Sequence, residues 1–160
     1  MNGTLSALLV AAAFGIAVAN ARSATRWLGV AVFAATVALI AFAPIPAAWS
    51  ARMHLACWIA IVACCASVHA PNAIGLRVSI ALALAAGVTG GAVANLASTR
   101  AIVVLLPLIA TTVCVALHAA ARCVPLAPKV VSSWLIAVAL LAATLQVLPV
   151  TPGYLPDHLE

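Results

Sequence analysis

Seven basic side chains punctuate this chain, and their spacing constrains its fold more than any other feature. Arg22, Arg26, Arg52, Arg77, Arg100, Arg122 and Lys129 stand singly or nearly so between long apolar runs. The gaps from Arg26 to Arg52, Arg52 to Arg77, Arg77 to Arg100 and Arg100 to Arg122 hold 25, 24, 22 and 21 residues, and Lys129 to Asp157 leaves 27. A helix crossing a ~30 Å hydrocarbon core needs about 20 residues. The charges therefore recur once per crossing, and an Arg at mid-bilayer costs about 3 kcal/mol on insertion scales, which keeps them out of the runs.

Composition agrees. Of 160 residues, 68% are apolar and 6% charged, and the mean hydropathy is +1.30. A soluble domain of this size needs far more charge to cover its surface. The net charge of +5 does not point to nucleic acid, because isolated cations form no patch or stripe.

Six runs follow: Leu5–Ala21, Trp27–Ala43, Trp49–Ala70, Val78–Ala97, Ala101–Ala121 and Val130–Val150, with Pro44, Pro46, Pro71, Pro125 and Pro128 between them and Pro149 and Pro152 closing the last. Each must be helical in lipid, where unpaired backbone groups find no water. The fold class expected is all-α: a polytopic membrane protein with six transmembrane helices arranged as three helical hairpins. Residues 1–150 form one domain, and 151–160 form a short extracytoplasmic tail. The first two runs are short for spanning helices.

Sidedness follows from the positive-inside rule. The connections after runs one, three and five carry Arg22, Arg26, Arg77, Arg122 and Lys129, whereas the other side holds Arg52, Arg100 and the acidic tail with Asp157 and Glu160. Five cations against two place the first group in the cytoplasm, so both termini face outward from the inner membrane. Trp27, Trp49, Trp134 and Tyr154 sit at run ends, the depth that amphipathic rings prefer, and Trp58 lies deeper. MNGTLS lacks the basic n-region of a signal peptide, although AVANA at Ala17–Ala21 resembles a cleavage site. Leu159–Glu160 has the look of a cloning scar.

One segment recurs. CASVHA at Cys65–Ala70 returns as CVALHA at Cys114–Ala119, offset by 49 residues, each at the end of an apolar run and followed by an Arg. GIAVANAR at Gly15–Arg22 is the counterpart in the first hairpin, without the His. Residues four apart share a helix face, so Cys65, His69, Cys114 and His118 would meet if the third and fifth helices are neighbours. Two thiols and two imidazoles suit zinc or copper(I), and the two His alone would suit a haem. The alternative is two interfacial His and two buried Cys. The five Cys form no disulfide framework: Cys64, Cys65 and Cys114 lie inside runs, where Cys acts as a small hydrophobe. His54, beside Arg52, reads as a surface imidazole.

Packing material is plain. Gly87 and Gly91 make a G-x-x-x-G face, and Gly15 with Ala11 and Ala19 makes a small-residue stripe; such faces let helices approach closely, within one chain or between copies. Pro107 inside the fifth run should kink it. Thr36, Thr89, Thr111, Thr112, Thr144 and Gln146 are the polar groups at depth, expected to bond between helices, and Asn20 and Asn95 lie nearer the ends. No Asp, Glu or Lys interrupts a run, which removes the ionisable group that membrane enzymes and cation-coupled carriers need at depth.

Three functions are therefore expected, in descending order. The first is a non-catalytic membrane subunit that anchors, scaffolds or regulates a larger assembly, with another membrane protein or a second copy as partner besides the bilayer. The second is a small permease or channel for a neutral or hydrophobic solute. The third is a metal- or haem-binding membrane protein.

Overall fold

The structure is a computed structural model that describes residues 3–70, 74–97 and 100–148; the expected tail at 151–160 lies outside the described residues. Six helices account for nearly all of it: α1 (Gly3–Ala19), α2 (Ser23–Ala41), α3 (Ser50–Ser67), α4 (Leu76–Leu96), α5 (Arg100–Cys123) and α6 (Ala127–Val147), with a 3-10 turn at Ala47–Trp49 leading into α3. Among the described residues the extended structure is one isolated bridge between Ala21 and Ile74. Five helices are long and apolar enough to cross a membrane, and the apolar part of α1, Thr4–Ala19, is shorter. The protein is all-helical and built for lipid.

The boundaries lie within a few residues of the apolar runs. Helix α2 begins at Ser23, so Arg26 lies in its first turn rather than in a loop. Helix α3 stops at Ser67, and Val68, His69 and Ala70 tighten into turns whose N–H groups bond three residues back. Helix α6 begins before Pro128, which occupies its first turn, where a missing N–H costs nothing. Pro107 is carried inside the continuous helix α5.

Packing register gives the helix directions. Gly87 lies against Phe33 and Thr36, and Gly91 against Val37 and Ile40, while Asn95 reaches Ile40, Ala41 and Ala43. Numbers rise together, so α2 and α4 run parallel. Helices α1 and α5 also run parallel: Val10 and Leu106 both approach Gly90, and Gly15 meets Ala110 and Val113. Helix α6 is antiparallel to α3, since Ser132 meets His69 while Gln146 lies by Ser50 and Leu55. The helices thus alternate in direction. One end of the bundle gathers Ala21, Arg26, His69, Ile74, Arg77, His118 and Lys129, and Arg52 and Arg100 stand at the other end.

Helix α1 is the hub. Ala7, Val10, Ala11, Ala13, Phe14, Ile16, Ala17 and Val18 are all buried to 1% exposure or less, and α3, α4 and α5 pack around them. A helix enclosed by protein need not match the bilayer thickness, which accounts for its 17 residues. The most extensive pair is α2 on α4, followed by α1 on α5, whereas α1 with α2 and α5 with α6 meet lightly although consecutive. Phe14 stacks on Phe33 with ring centroids 4.7 Å apart and planes 20° apart. In lipid such contacts act by dispersion and close fit rather than by removing surface from water.

The outer surface is apolar too. Leu39, Phe42, Val104, Leu108, Leu141 and Leu145 are more than half exposed, as side chains facing lipid would be. Trp27, Trp49 and Trp134 are also about half exposed or more, and Trp58 is 2% exposed.

Candidate functional site

The polar side chains collect at the two ends of the bundle. At the basic end, the last carbonyls of α1 have no intrahelical donor. Arg26, reaching back from α2, fills that need: its Nη2 donates to the carbonyls of Ala19 at 3.2 Å and Ala21 at 3.1 Å. A guanidinium at a helix C-terminus is also favoured by the helix dipole.

The same Nη2 lies 3.1 Å from His118 Nδ1 on α5. Arg has no acceptor atom, so Nδ1 accepts, sharing the two Nη2 protons with the two carbonyls, and His118 carries its proton on Nε2. The Arg26 Nε is buried without a partner. Three helices, α1, α2 and α5, are thus tied by one cation that has no carboxylate beside it; the chain's two acidic residues, Asp157 and Glu160, lie outside the described residues.

His69 has a different partner. It sits in the turn beyond α3, and its Nε2 lies 3.0 Å from Ser132 Oγ and 3.4 Å from Ser133 Oγ on α6. Ser132 also donates to the Lys129 carbonyl at 2.9 Å. A hydroxyl has one proton, so with that bond made Ser132 accepts from His69, and His69 carries its proton on Nε2.

Cys65, His69, Cys114 and His118, expected to meet, are not gathered into one cluster among the described residues. Helix α3 ends before His69, so Cys65 and His69 do not share a continuous helix face, whereas α5 runs on past His118 to Cys123. The two copies of the repeat therefore occupy different local structures. His69 turns to α6 and His118 to α2, and among the described residues no three His, Cys, Asp or Glu side chains gather as metal ligands would. Cys65 and Cys114 are free and buried.

The threonines also differ from expectation. Thr36 donates to the Val32 carbonyl, Thr89 to Ala85, Thr111 to Pro107, Thr112 to Leu108 and Thr144 to Leu141, at 2.7 to 2.8 Å. Each bond stays within one helix. The carbonyl three or four residues back is the nearest acceptor to a β-hydroxyl, so it is taken first.

At the opposite end, the Asn95 Nδ2 lies 3.2, 2.9 and 2.8 Å from the carbonyl oxygens of Ile40, Ala41 and Ala43, which share its two protons. One amide from α4 thereby caps the C-terminus of α2. At the same end of the bundle, a cavity of about 480 Å³ opens between the start of α3 and the end of α6.

Gly87, Gly91 and Gly15 lie inside the protomer's own interfaces. A Cβ on Gly87 would stand 2.8 Å from Thr36 Cβ, one on Gly91 would stand 3.1 Å from the Val37 carbonyl oxygen, and one on Gly15 would stand 2.5 Å from the Ala110 carbonyl oxygen.

Two tie points were missed in the sequence. Arg26 had been assigned only to topology, although a basic residue a few positions past a helix end is a known partner for its last carbonyls. Asn95 gave no local signal, because its acceptors are more than fifty residues away in the chain. The chain matches no family model, no curated protein and no solved structure.

Proposed function

We propose that this protein is a non-catalytic subunit of the inner membrane that anchors, scaffolds or regulates a larger membrane assembly. Six spanning helices pass as three hairpins, the basic end faces the cytoplasm, and both termini face outward.

The observation that carries this reading is the filled centre of the bundle. Helix α1 occupies the place where a carrier or channel of this size would keep its path, and from Ala7 to Val18 that helix is solid apolar packing. The threonine hydroxyls, which a polar path would need, donate to carbonyls of their own helices. The charged and strongly polar ties between helices lie at the bundle ends, where Arg26, His69 and Asn95 hold helices in place, and deeper in, the small Cys57 thiol meets the Ser6 carbonyl and Thr89. That is the pattern of a support rather than of a conduit or a reaction centre, and it ranks the permease reading below the subunit reading.

The test is cross-linking in native membranes followed by purification in mild detergent. A partner recovered at a fixed ratio is the expected result. Recovery only as an uncross-linked monomer, together with solute flux in liposomes containing the pure protein, would overturn it.

A further inference from the structure

We infer that the cavity between the start of α3 and the end of α6 is a binding site for the headgroup of an anionic phospholipid. The proposal goes beyond the subunit role and does not depend on it.

The walls of the cavity divide by chemistry. Ser50, Arg52, His54 and Gln146 supply polar atoms, and Leu55 and Val147 supply apolar surface. Its volume of about 480 Å³ lies within the range of about 300 to 1,000 Å³ usual for small-molecule sites. The position gives the depth. Ser50 to Leu55 covers the first turns of α3, about 7.5 Å along the axis, and Gln146 and Val147 are the last residues of α6 before its C-cap. Trp49, immediately before α3, is 49% exposed, as an indole at the membrane–water boundary is. An opening at that depth, with polar and apolar side chains side by side on its walls, matches a lipid at the junction of its phosphate and its acyl chains.

Charge decides the class of lipid. Arg52 has no ion pair among the described residues, and no acidic side chain occurs before Asp157. A phosphodiester supplies the missing negative charge and the acceptors that a guanidinium fork binds best. His54 is already oriented: the Ser50 carbonyl can only accept, so His54 donates to it from Nδ1 at 2.8 Å, and in the neutral ring Nε2 is then an acceptor, suited to a headgroup hydroxyl such as that of phosphatidylglycerol rather than to the phosphate.

The test uses the full-length protein in mild detergent, titrated with phosphatidylglycerol or phosphatidylcholine and read by native mass spectrometry. Phosphatidylglycerol should bind more tightly than phosphatidylcholine. Arg52→Gln should weaken phosphatidylglycerol roughly tenfold, the scale of one lost charge-assisted contact, and Arg77→Gln at the opposite end should leave it unchanged. Leu55→Trp, which fills the cavity and keeps the charge, should also weaken it. Equal loss in Arg52→Gln and Arg77→Gln would mean general attraction of basic residues for anionic lipid and would overturn the site. So would equal binding of the two lipids, no loss in either cavity variant, or displacement of the lipid by millimolar inorganic phosphate, which would assign the cavity to free anions. Retained helix content by circular dichroism shows that a variant has folded. Failure here leaves the subunit reading intact, because cross-linking reads that separately.

Discussion

Gly15 of α1 and Ala110 of α5 face each other so closely that a Cβ on Gly15 would stand 2.5 Å from the Ala110 carbonyl oxygen. That oxygen belongs to a helix backbone and cannot swing aside. Gly15→Ala therefore forces α1 and α5 apart, and because α1 is the hub the shift reaches α3 and α4. Helix propensity would favour Ala by about 1 kcal/mol, but overpacking of about 1 to 3 kcal/mol opposes it. The expected outcome is a net loss of stability, read as a lower midpoint of thermal unfolding in detergent. Gly75, whose Cβ would meet nothing within 4 Å, is the control without a clash, and Gly75→Ala should lower the midpoint less, its cost limited to the N-cap position of α4.

The Gly87 and Gly91 face tests whether this stripe is used within the chain. Their Cβ positions fall on Thr36, Val37 and Ile40 of α2. Gly87→Leu should unfold or loosen the single protomer. If the face instead joined two copies, the same variant would shift the mass seen in detergent and leave protomer stability unchanged. Unfolding midpoint and mass, measured on one sample, separate the two.

Much of this architecture could be read from residue order, and the unread part has a physical reason. Solitary cations and prolines marked the ends of all six helices to within a few residues, because lipid excludes charge and unpaired backbone. Which helix sits at the centre was not legible. In water an apolar stripe shows the buried face, but in lipid the outer face is apolar as well, so Phe14, which is buried, and Leu39, which is exposed, look alike. The two copies of the repeat at Cys65 and Cys114 have different surroundings for a related reason. Similar letters fell on a helix end in one copy and on a helix interior in the other, and the partners of His69 and His118 were then set by α6 and α2, which sequence spacing does not show.

Asn95 gives the clearest test of a polar tie in the lipid-facing bundle. Asn95→Leu keeps the size of the side chain and removes the donor to Ile40, Ala41 and Ala43. Interhelical hydrogen bonds in membranes average about 0.6 kcal/mol, with a maximum of about 1.7. Three carbonyls at a helix end share this one amide, so a loss of about 1 kcal/mol is expected. Thr144→Val, which removes a bond confined to the exposed side of α6, should cost less, in the same unfolding assay.

Arg26 and His118 should behave as a coupled pair. Either change alone, Arg26→Gln or His118→Leu, breaks the contact at 3.1 Å, so the second change has less left to remove. A double-mutant cycle should give a coupling of about 1 kcal/mol, within the range for groups in direct contact. Arg26→Gln should be the costlier single change, because it also weakens the hold on the carbonyls of Ala19, the last residue of α1, and Ala21, just beyond it. Strict additivity would mean that the contact contributes nothing.

Cys123 offers a test of orientation without any engineered label. It is exposed and ends α5 at the basic end, whereas Cys57, Cys64, Cys65 and Cys114 are buried. A membrane-impermeant maleimide should therefore react with one thiol per folded chain. If the basic end faces the cytoplasm, as the count of cations on the two sides implies, inverted vesicles should label and intact cells should not, and Cys123→Ser should abolish the signal. Labelling in intact cells before any permeabilisation would reverse the assigned topology. It would leave the fold unchanged, because the alternation of the six helices rests on contacts inside the bundle and not on which side carries more charge.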